Sequence, residues 1–418
     1  MDGVSTADKR TYRCHCHGLA TKVTTIATFL ALGCFFTVFY SNAPVRSFPS
    51  LSIPVPSLNQ RRMEDRLLGS TRSKFIYYDR LKDWLPNATN CLPNYFTTAA
   101  KSPAEQLKYR DGVIVFNHVN KAAGTSTKSC LHQLVAESGR SLGPVLTQGG
   151  RKRLEIKLDN GRLLQDTLMG GYAFGICDSC AHLHCTCSYF TFLRDPYERV
   201  ISSYTYCQKM WRDQTCSSLG PPKDTSLREW AIFQGSYFFR QLLLKPWFCR
   251  KHDGTNKINV RNFRVLSGIP KSSNLSFANA SCWLKEKFIL RSSLTSTDMD
   301  DLLQYCVDHL EDWFAVIGLT KDYDLSLGML ERVYGLPFAG RCKGRKSNRS
   351  QKLDLSIDGR TWTNETAMIA HCKTQLQKDK EVQEALRADQ MLYERALNIF
   401  KRQKEVFLQY TSAGHRHV

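Results

Sequence analysis

Short unbroken apolar runs alternate along this chain with stretches of helical period. Val113–Phe116 and Tyr189–Leu193 ("YFTFL") are each followed by small or turn-forming residues. Runs of this length bounded by breakers predict strands buried on both faces. After the first comes a loop of small residues and then a helix over Thr125 to Leu134. After the second comes "RDPYERVISSYTYC", which carries its own helix start: Asp195 as N-cap, Pro196 at the first helical position, and Glu198 placed to close a capping box. Strand–loop–helix units in succession predict an α/β fold, a P-loop-like central parallel sheet flanked by helices. Farther on, Thr366 to Tyr410 reads as one amphipathic helix, with Leu386, Leu392, Ala396, Leu397 and Phe400 on one face.

The N-terminal part follows a different pattern. Val23–Tyr40 contains no charged residue, and at 1.5 Å per residue such a stretch nearly spans a hydrocarbon core of roughly 30 Å. Lys9, Arg10, Arg13 and Lys22 precede it, whereas Arg46 is the only base close behind, which predicts a cytosolic N-terminus. A cleaved signal peptide is the competing reading, but its apolar core is usually shorter and is followed by a small-residue cleavage site. Residues 41 to about 75, with Pro44, Pro49, Pro54 and Pro56 and many serines, hold no period and read as a stem. The expected organisation is a cytoplasmic tail (1–22), a transmembrane signal-anchor (23–40), a lumenal stem (41–105, with Cys91 as a candidate staple) and one compact domain (106–418).

Composition narrows the partners. Lys+Arg number 58 against Asp+Glu 38, a formal net charge of +20 over 418 residues. An excess of this size points to a polyanion or to an inert basic surface. With the bulk of the chain across a membrane, nucleic acid is excluded as an expectation and an acidic glycan is favoured. Of the 16 cysteines, Cys14 and Cys16 precede the apolar stretch and Cys34 lies in it. The others would meet an oxidising compartment and can form disulfides. Five N-x-S/T sequons, at Asn87, Asn274, Asn279, Asn348 and Asn364, agree weakly with that topology.

The chemistry lies in the two loops. In "VIVFNHVNKAAGTSTKS", Ala122, Ala123 and Gly124 permit close backbone approach, and the amides of the following helix start favour an anion. Thr125, Ser126 and Thr127 add hydroxyl donors and Lys121 a full charge. Lys121 precedes the small residues, whereas in nucleotide hydrolases the lysine follows them. A tight turn with a surface lysine is the bland alternative. Arg194 ends the second strand, and Ser202 lies about two helical turns on. Together they suit a second phosphate, unless Arg194 merely pairs with Asp195 or Glu198.

"FNHVNKAAGTSTKS" resembles the 5′-phosphosulfate loop of the sulfotransferases, and "FLRDPYERVISSY" resembles their 3′-phosphate motif. The pattern R-D-P-x-x-R-x-x-S is similar to that of membrane-anchored Golgi carbohydrate sulfotransferases. The residues around His118 look most like the heparan sulfate 2-O- and uronyl 2-O-sulfotransferase branch. "IGLTKDYDLSLGML" and "ADQMLYERALNIF" resemble later stretches of the same domains. The resemblance implies a donor, 3′-phosphoadenosine 5′-phosphosulfate, no metal, and a type II Golgi membrane protein with a lumenal catalytic domain. Lys121, Gly124, Thr125, Ser126 and Thr127 would then hold the 5′-phosphosulfate, and Arg194 and Ser202 the 3′-phosphate. "GRKSNRS" (Gly344–Ser350) looks like a late basic loop that closes over the donor. A glycan on Asn348 would crowd that loop, which leaves Asn87, Asn274, Asn279 and Asn364 as the candidate glycosylation sites.

The expected proton acceptor departs from the family. Its histidine would fall on Gly171 or Tyr172. His184, with His182 beside it, is the nearest substitute; His118 and His132 are weaker candidates. The cluster Cys177, Cys180, His182, His184, Cys185 and Cys187 is too compact for paired zinc-finger spacing and reads as disulfides, with Cys207 or Cys216 as partners. A sulfuryl transferase is therefore the leading expectation. A donor-binding pseudoenzyme and a non-catalytic glycan-binding protein are the alternatives. A nucleotide hydrolase or kinase lacks its lysine after the glycines and its metal-holding aspartate.

Overall fold

A computed structural model describes residues 91–98, 102–138, 168–171, 186–210, 216, 225–243, 262–269, 275–280, 282–343 and 355–414. The apolar stretch 23–40 lies outside them. No helix among the described residues is long and apolar enough to cross a membrane.

Four parallel strands form the central sheet: β1 (Val113–Asn117), β2 (Leu168–Gly171), β3 (Cys187–Leu193) and β4 (Phe314–Leu319), in the order β2-β1-β3-β4. Every residue of β1, β3 and β4 is buried. The unbroken apolar runs thus read correctly as strands covered on both faces. Helices α1 (Pro103–Asp111), α2 (Gly124–Ser138) and α3 (Pro196–Lys209) adjoin the first strands. Then follow α4 (Leu227–Gln234), α5 (Tyr237–Leu243), α6 (Phe263–Ser267), α7 (Cys282–Ser293) and α8 (Ser296–Trp313). After β4 come α9 (Tyr323–Tyr334), α10 (Phe338–Cys342), a hairpin of β5 (Leu355–Ile357) and β6 (Arg360–Trp362), α11 (Glu365–Lys378) and α12 (Lys380–Gly414).

β4 is an edge strand, and its backbone would be exposed without cover. Gln403 of α12 supplies that cover. Its Oε1 accepts from Ile317 N (3.0 Å) and its Nε2 donates to Ile317 O (2.7 Å), as a neighbouring strand would. Tyr95 N donates to Ala315 O (2.9 Å), and Asn94 Nδ2 to Phe314 O (3.2 Å). Cys91, Tyr95 and Phe96 belong to the same core. The compact body thus takes in residues that the sequence pattern assigned to the stem. They were illegible there because a segment that covers an edge needs backbone pairing rather than an apolar period.

The single helix expected over Thr366 to Tyr410 is two. Asp379 leaves helical geometry (φ −86°, ψ 116°), and its Oδ1 accepts from Glu381 N and Val382 N, capping α12. An aspartate that captures amides competes with helix continuation. The predicted face of α12 is otherwise as expected, with Leu386, Leu392, Ala396 and Phe400 buried. Disulfides join Cys130 to Cys342 and Cys207 to Cys216. Cys207 and Cys216 therefore bond each other and not the Cys177–Cys187 cluster. Cys91 and Cys187 are also disulfide-bonded.

Candidate functional site

In the order β2-β1-β3-β4, the chain leaves β1 toward one edge of the sheet and leaves β3 toward the other. The crevice at the carboxyl ends of these adjacent strands is where open α/β sheets bind ligands. Both predicted loops start there. Asn117 and Leu193 end the two strands, and Thr191 Oγ1 donates to Asn117 O (2.9 Å) to lock them together.

The loop after β1 is wound tightly. Lys121 (φ 66°) and Ala123 (φ 60°) both occupy the left-handed region without being glycine. Such residues cost about 1–3 kcal/mol each, a cost tolerated where geometry serves function. Ala122 N donates to Val119 O (3.1 Å) to close the turn, and helix α2 begins at Gly124. A Cβ on Gly124 would lie 1.5 Å from His118 Nε2, so the imidazole fills the space beside it. His118 also stacks on Phe116, with ring centroids 5.6 Å apart. Burial, with help from the charges of Lys128 and Lys121, pulls its pKa down to about 3. His118 is thus a neutral wedge inside the loop, a role that sequence reasoning did not assign to it.

Thr125 is exposed and Ser126 half-buried at the start of α2. Thr127 is turned inward. Its hydroxyl donates to Ala123 O (3.0 Å) and lies 3.4 Å from the Tyr323 hydroxyl. It therefore braces the loop from within, where a ligand-facing hydroxyl was expected, because the fourth residue of α2 rotates toward the core.

At the end of β3, Asp195 caps α3 by accepting from Tyr197 N and Glu198 N (both 3.1 Å), and Pro196 takes the first turn. The capping box does not close. Glu198 turns to Arg194 (3.5 Å) and to Lys373 (3.4 Å), which also holds Asp195 (2.8 Å). A glutamate between two cations gains more than one reaching back to a single amide. Arg194 is half-buried at the crevice, and its Nε pairs with Glu198 Oε2 (3.5 Å). Ser202 is half-buried on α3, and Tyr206, one turn farther, shares its face. The Lys121 ammonium lies over the Tyr206 ring, 3.8 Å from its centroid. That contact brings the two sequence-predicted units together.

Beside Arg194 opens a small cleft lined by Val119, Leu193, Arg199, Phe238, Asp389 and Tyr393. Arg199 and Asp389 are both buried, 3.8 Å apart. Asp389 accepts from Phe238 N (3.1 Å) and Phe239 N (2.9 Å) at the start of α5. The last carbonyls of α4 meet three buried cations. Lys287 binds Ile232 O and Phe233 O, Arg240 binds Gln234 O, and Arg199 binds Gly235 O. Cations at a helix C-terminus complement its dipole. Burial nonetheless pulls Lys287 well below the usual lysine range and Arg240 down to about 10. Burial pushes the Tyr393 phenol up to about 12, reinforced by Asp195 and Glu198.

His182 and His184 lie outside the described residues, as do Asn87, Asn274, Asn348 and the loop Gly344–Ser350. His132 is exposed on α2. Asn279 and Asn364 are exposed, and Asn364 Oδ1 caps α11 through Ala367 N (3.0 Å). No cluster of metal-ligating side chains occurs among the described residues. Sequence reasoning missed Tyr206, legible as the residue one turn after Ser202. It also missed Asp389, which lies 190 residues from Arg199 and carries no local signal.

The crevice carries a lysine on one loop and an arginine on the next, cations of the kind that pair with anionic groups. A model of the sulfotransferase family matches residues 108–252, a span that includes both loops. The match supports a sulfotransferase family for this chain, and with it sulfuryl transfer as the class of reaction. No curated protein matches the chain.

Proposed function

We propose that this protein transfers a sulfuryl group from 3′-phosphoadenosine 5′-phosphosulfate to a hydroxyl of a glycan, and that the acceptor is an acidic, glycosaminoglycan-type chain. The observation that carries the reading is the pairing of the family match with Lys121 and Arg194 at the ends of adjacent parallel strands. Lys121, Gly124, Thr125 and Ser126 engage the 5′-phosphosulfate, and Arg194 and Ser202 the 3′-phosphate. A bond from the acceptor oxygen to sulfur forms as the bridging sulfur–oxygen bond breaks. The bridging oxygen keeps the electron pair, and Lys121 stabilises the charge that builds there. The acceptor proton passes to a base, for which His184 and His182 are the candidates. The net charge of +20 favours an acidic acceptor.

The same reading places residues 23–40 in a Golgi membrane as a signal-anchor, with the domain in the lumen. The bonded cysteines suit an oxidising compartment.

The test is transfer of labelled sulfate from the donor by the purified protein onto a panel of acidic and neutral glycans, with the product position mapped. Lys121→Ala and Arg194→Ala are each expected to abolish most transfer; full activity in both sinks the site assignment. A panel in which only neutral glycans react refutes the acidic acceptor. A second reading, a donor-binding pseudoenzyme, draws on the end of β2, where the family's histidine would fall on Gly171 or Tyr172. Binding of 3′-phosphoadenosine 5′-phosphate without transfer to any glycan would favour it.

A further inference from the structure

We propose that Tyr206 is a positioning residue: its ring seats the Lys121 ammonium between the two anion-binding units until the donor draws it away. The inference rests on the sulfotransferase reading and deepens it.

Lys121 Nζ lies 3.8 Å from the Tyr206 ring centroid. A ring face attracts a cation through its quadrupole, and the attraction grows as water is removed. The backbone of Lys121 is held left-handed at φ 66°, which fixes the direction in which its long side chain departs. Tyr206 follows Ser202 by one turn on the same face of α3, so the seat lies beside the residue assigned to the second phosphate.

The seat is stiff where the lysine arm is not. Cys207, the next residue, is bonded to Cys216. Met210 N donates to Tyr206 O (2.9 Å), and the Tyr204 hydroxyl to Thr225 O (2.8 Å). A lysine already resting on a ring has given up part of the rotamer freedom it would otherwise lose on engaging the donor.

The test compares Tyr206→Leu and Tyr206→Phe in the full chain, alone and with Lys121→Ala. The readouts are kcat/KM for the donor in sulfate transfer, with kcat beside it, and calorimetric affinity for 3′-phosphoadenosine 5′-phosphate. Tyr206→Leu should lower kcat/KM about three- to thirtyfold with little change in kcat, and Tyr206→Phe, which keeps the ring, should recover most of that loss. The Leu substitution should weaken product binding when Lys121 is present and leave it unchanged when Lys121 is Ala. Tyr206→Met replaces Leu in the comparison if Leu lowers the unfolding midpoint. Equal kcat/KM for Leu and Phe, or equal weakening with and without Lys121, overturns the proposal alone. No affinity for the nucleotide in the unsubstituted protein overturns the sulfotransferase reading and the proposal with it.

Discussion

The imidazole of His118 stands where a side chain on Gly124 would have to go: a Cβ there would lie 1.5 Å from Nε2. Gly124→Ala must therefore displace the ring or the loop. Overpacking of this kind costs about 1–3 kcal/mol, so affinity for 3′-phosphoadenosine 5′-phosphate should fall roughly tenfold. His118→Ala in the same chain removes the obstruction and should restore part of that affinity. Isothermal titration of the two single variants and the double variant checks the coupling, and strict additivity would contradict it.

The same wedge makes stability depend on pH. Burial and the nearby Lys128 and Lys121 lower the His118 pKa from 6.5 to about 3. Above pH 6.5 the ring is neutral in both folded and unfolded chains and costs nothing. Below it the unfolded chain binds a proton that the folded chain refuses, so stability falls as pH drops from 6.5 toward 3. The slope from this one residue approaches about 1.4 kcal/mol per pH unit. Urea unfolding at pH 7, 6 and 5 should show the loss, and His118→Gln should flatten it.

Glu198 restrains Arg194 through the pair at 3.5 Å. Replacing it by Gln releases the guanidinium, which is part-exposed, so the gain is that of a surface pair, about 0.5 kcal/mol. Affinity for 3′-phosphoadenosine 5′-phosphate should rise about twofold, and more at low salt. An affinity that falls on this substitution would mean that Glu198 positions Arg194 for the ligand.

Asp389 joins α12 to the cleft by facing Arg199 and capping α5. Asp389→Ala leaves a buried guanidinium without its carboxylate and two amides without an acceptor. A loss of about 3–5 kcal/mol is expected in denaturant unfolding. Asp389→Asn, which keeps an acceptor for the amides, should lose less.

How far the sequence reaches can be judged at particular residues. β1, β3, the cap of α3 and the loop-to-helix start, expected at Thr125 and found at Gly124, were legible because each depends on neighbours within a few positions. Lys121 and Arg194 stood out for the same reason. Thr127 was misread as ligand-facing because which hydroxyl of a helix start turns inward depends on what packs behind it, here Tyr323. The break at Asp379 was missed because apolar periodicity continues across it while one side chain captures two amides.

By itself the sequence determined the local units: buried strands, their following loops, the capped helix, and the two basic residues on which the proposed anion site rests. Those follow from period, propensity and capping, which act over a turn or a strand length. Only the tertiary structure decided that β1 and β3 are neighbours, that Lys121 rests on Tyr206, that His118 fills the space beside Gly124, and that Asp389 answers Arg199. Each of these is a contact between segments far apart in the chain. Its energy comes from packing and charge in a shared interior, and no local pattern of residues carries that information.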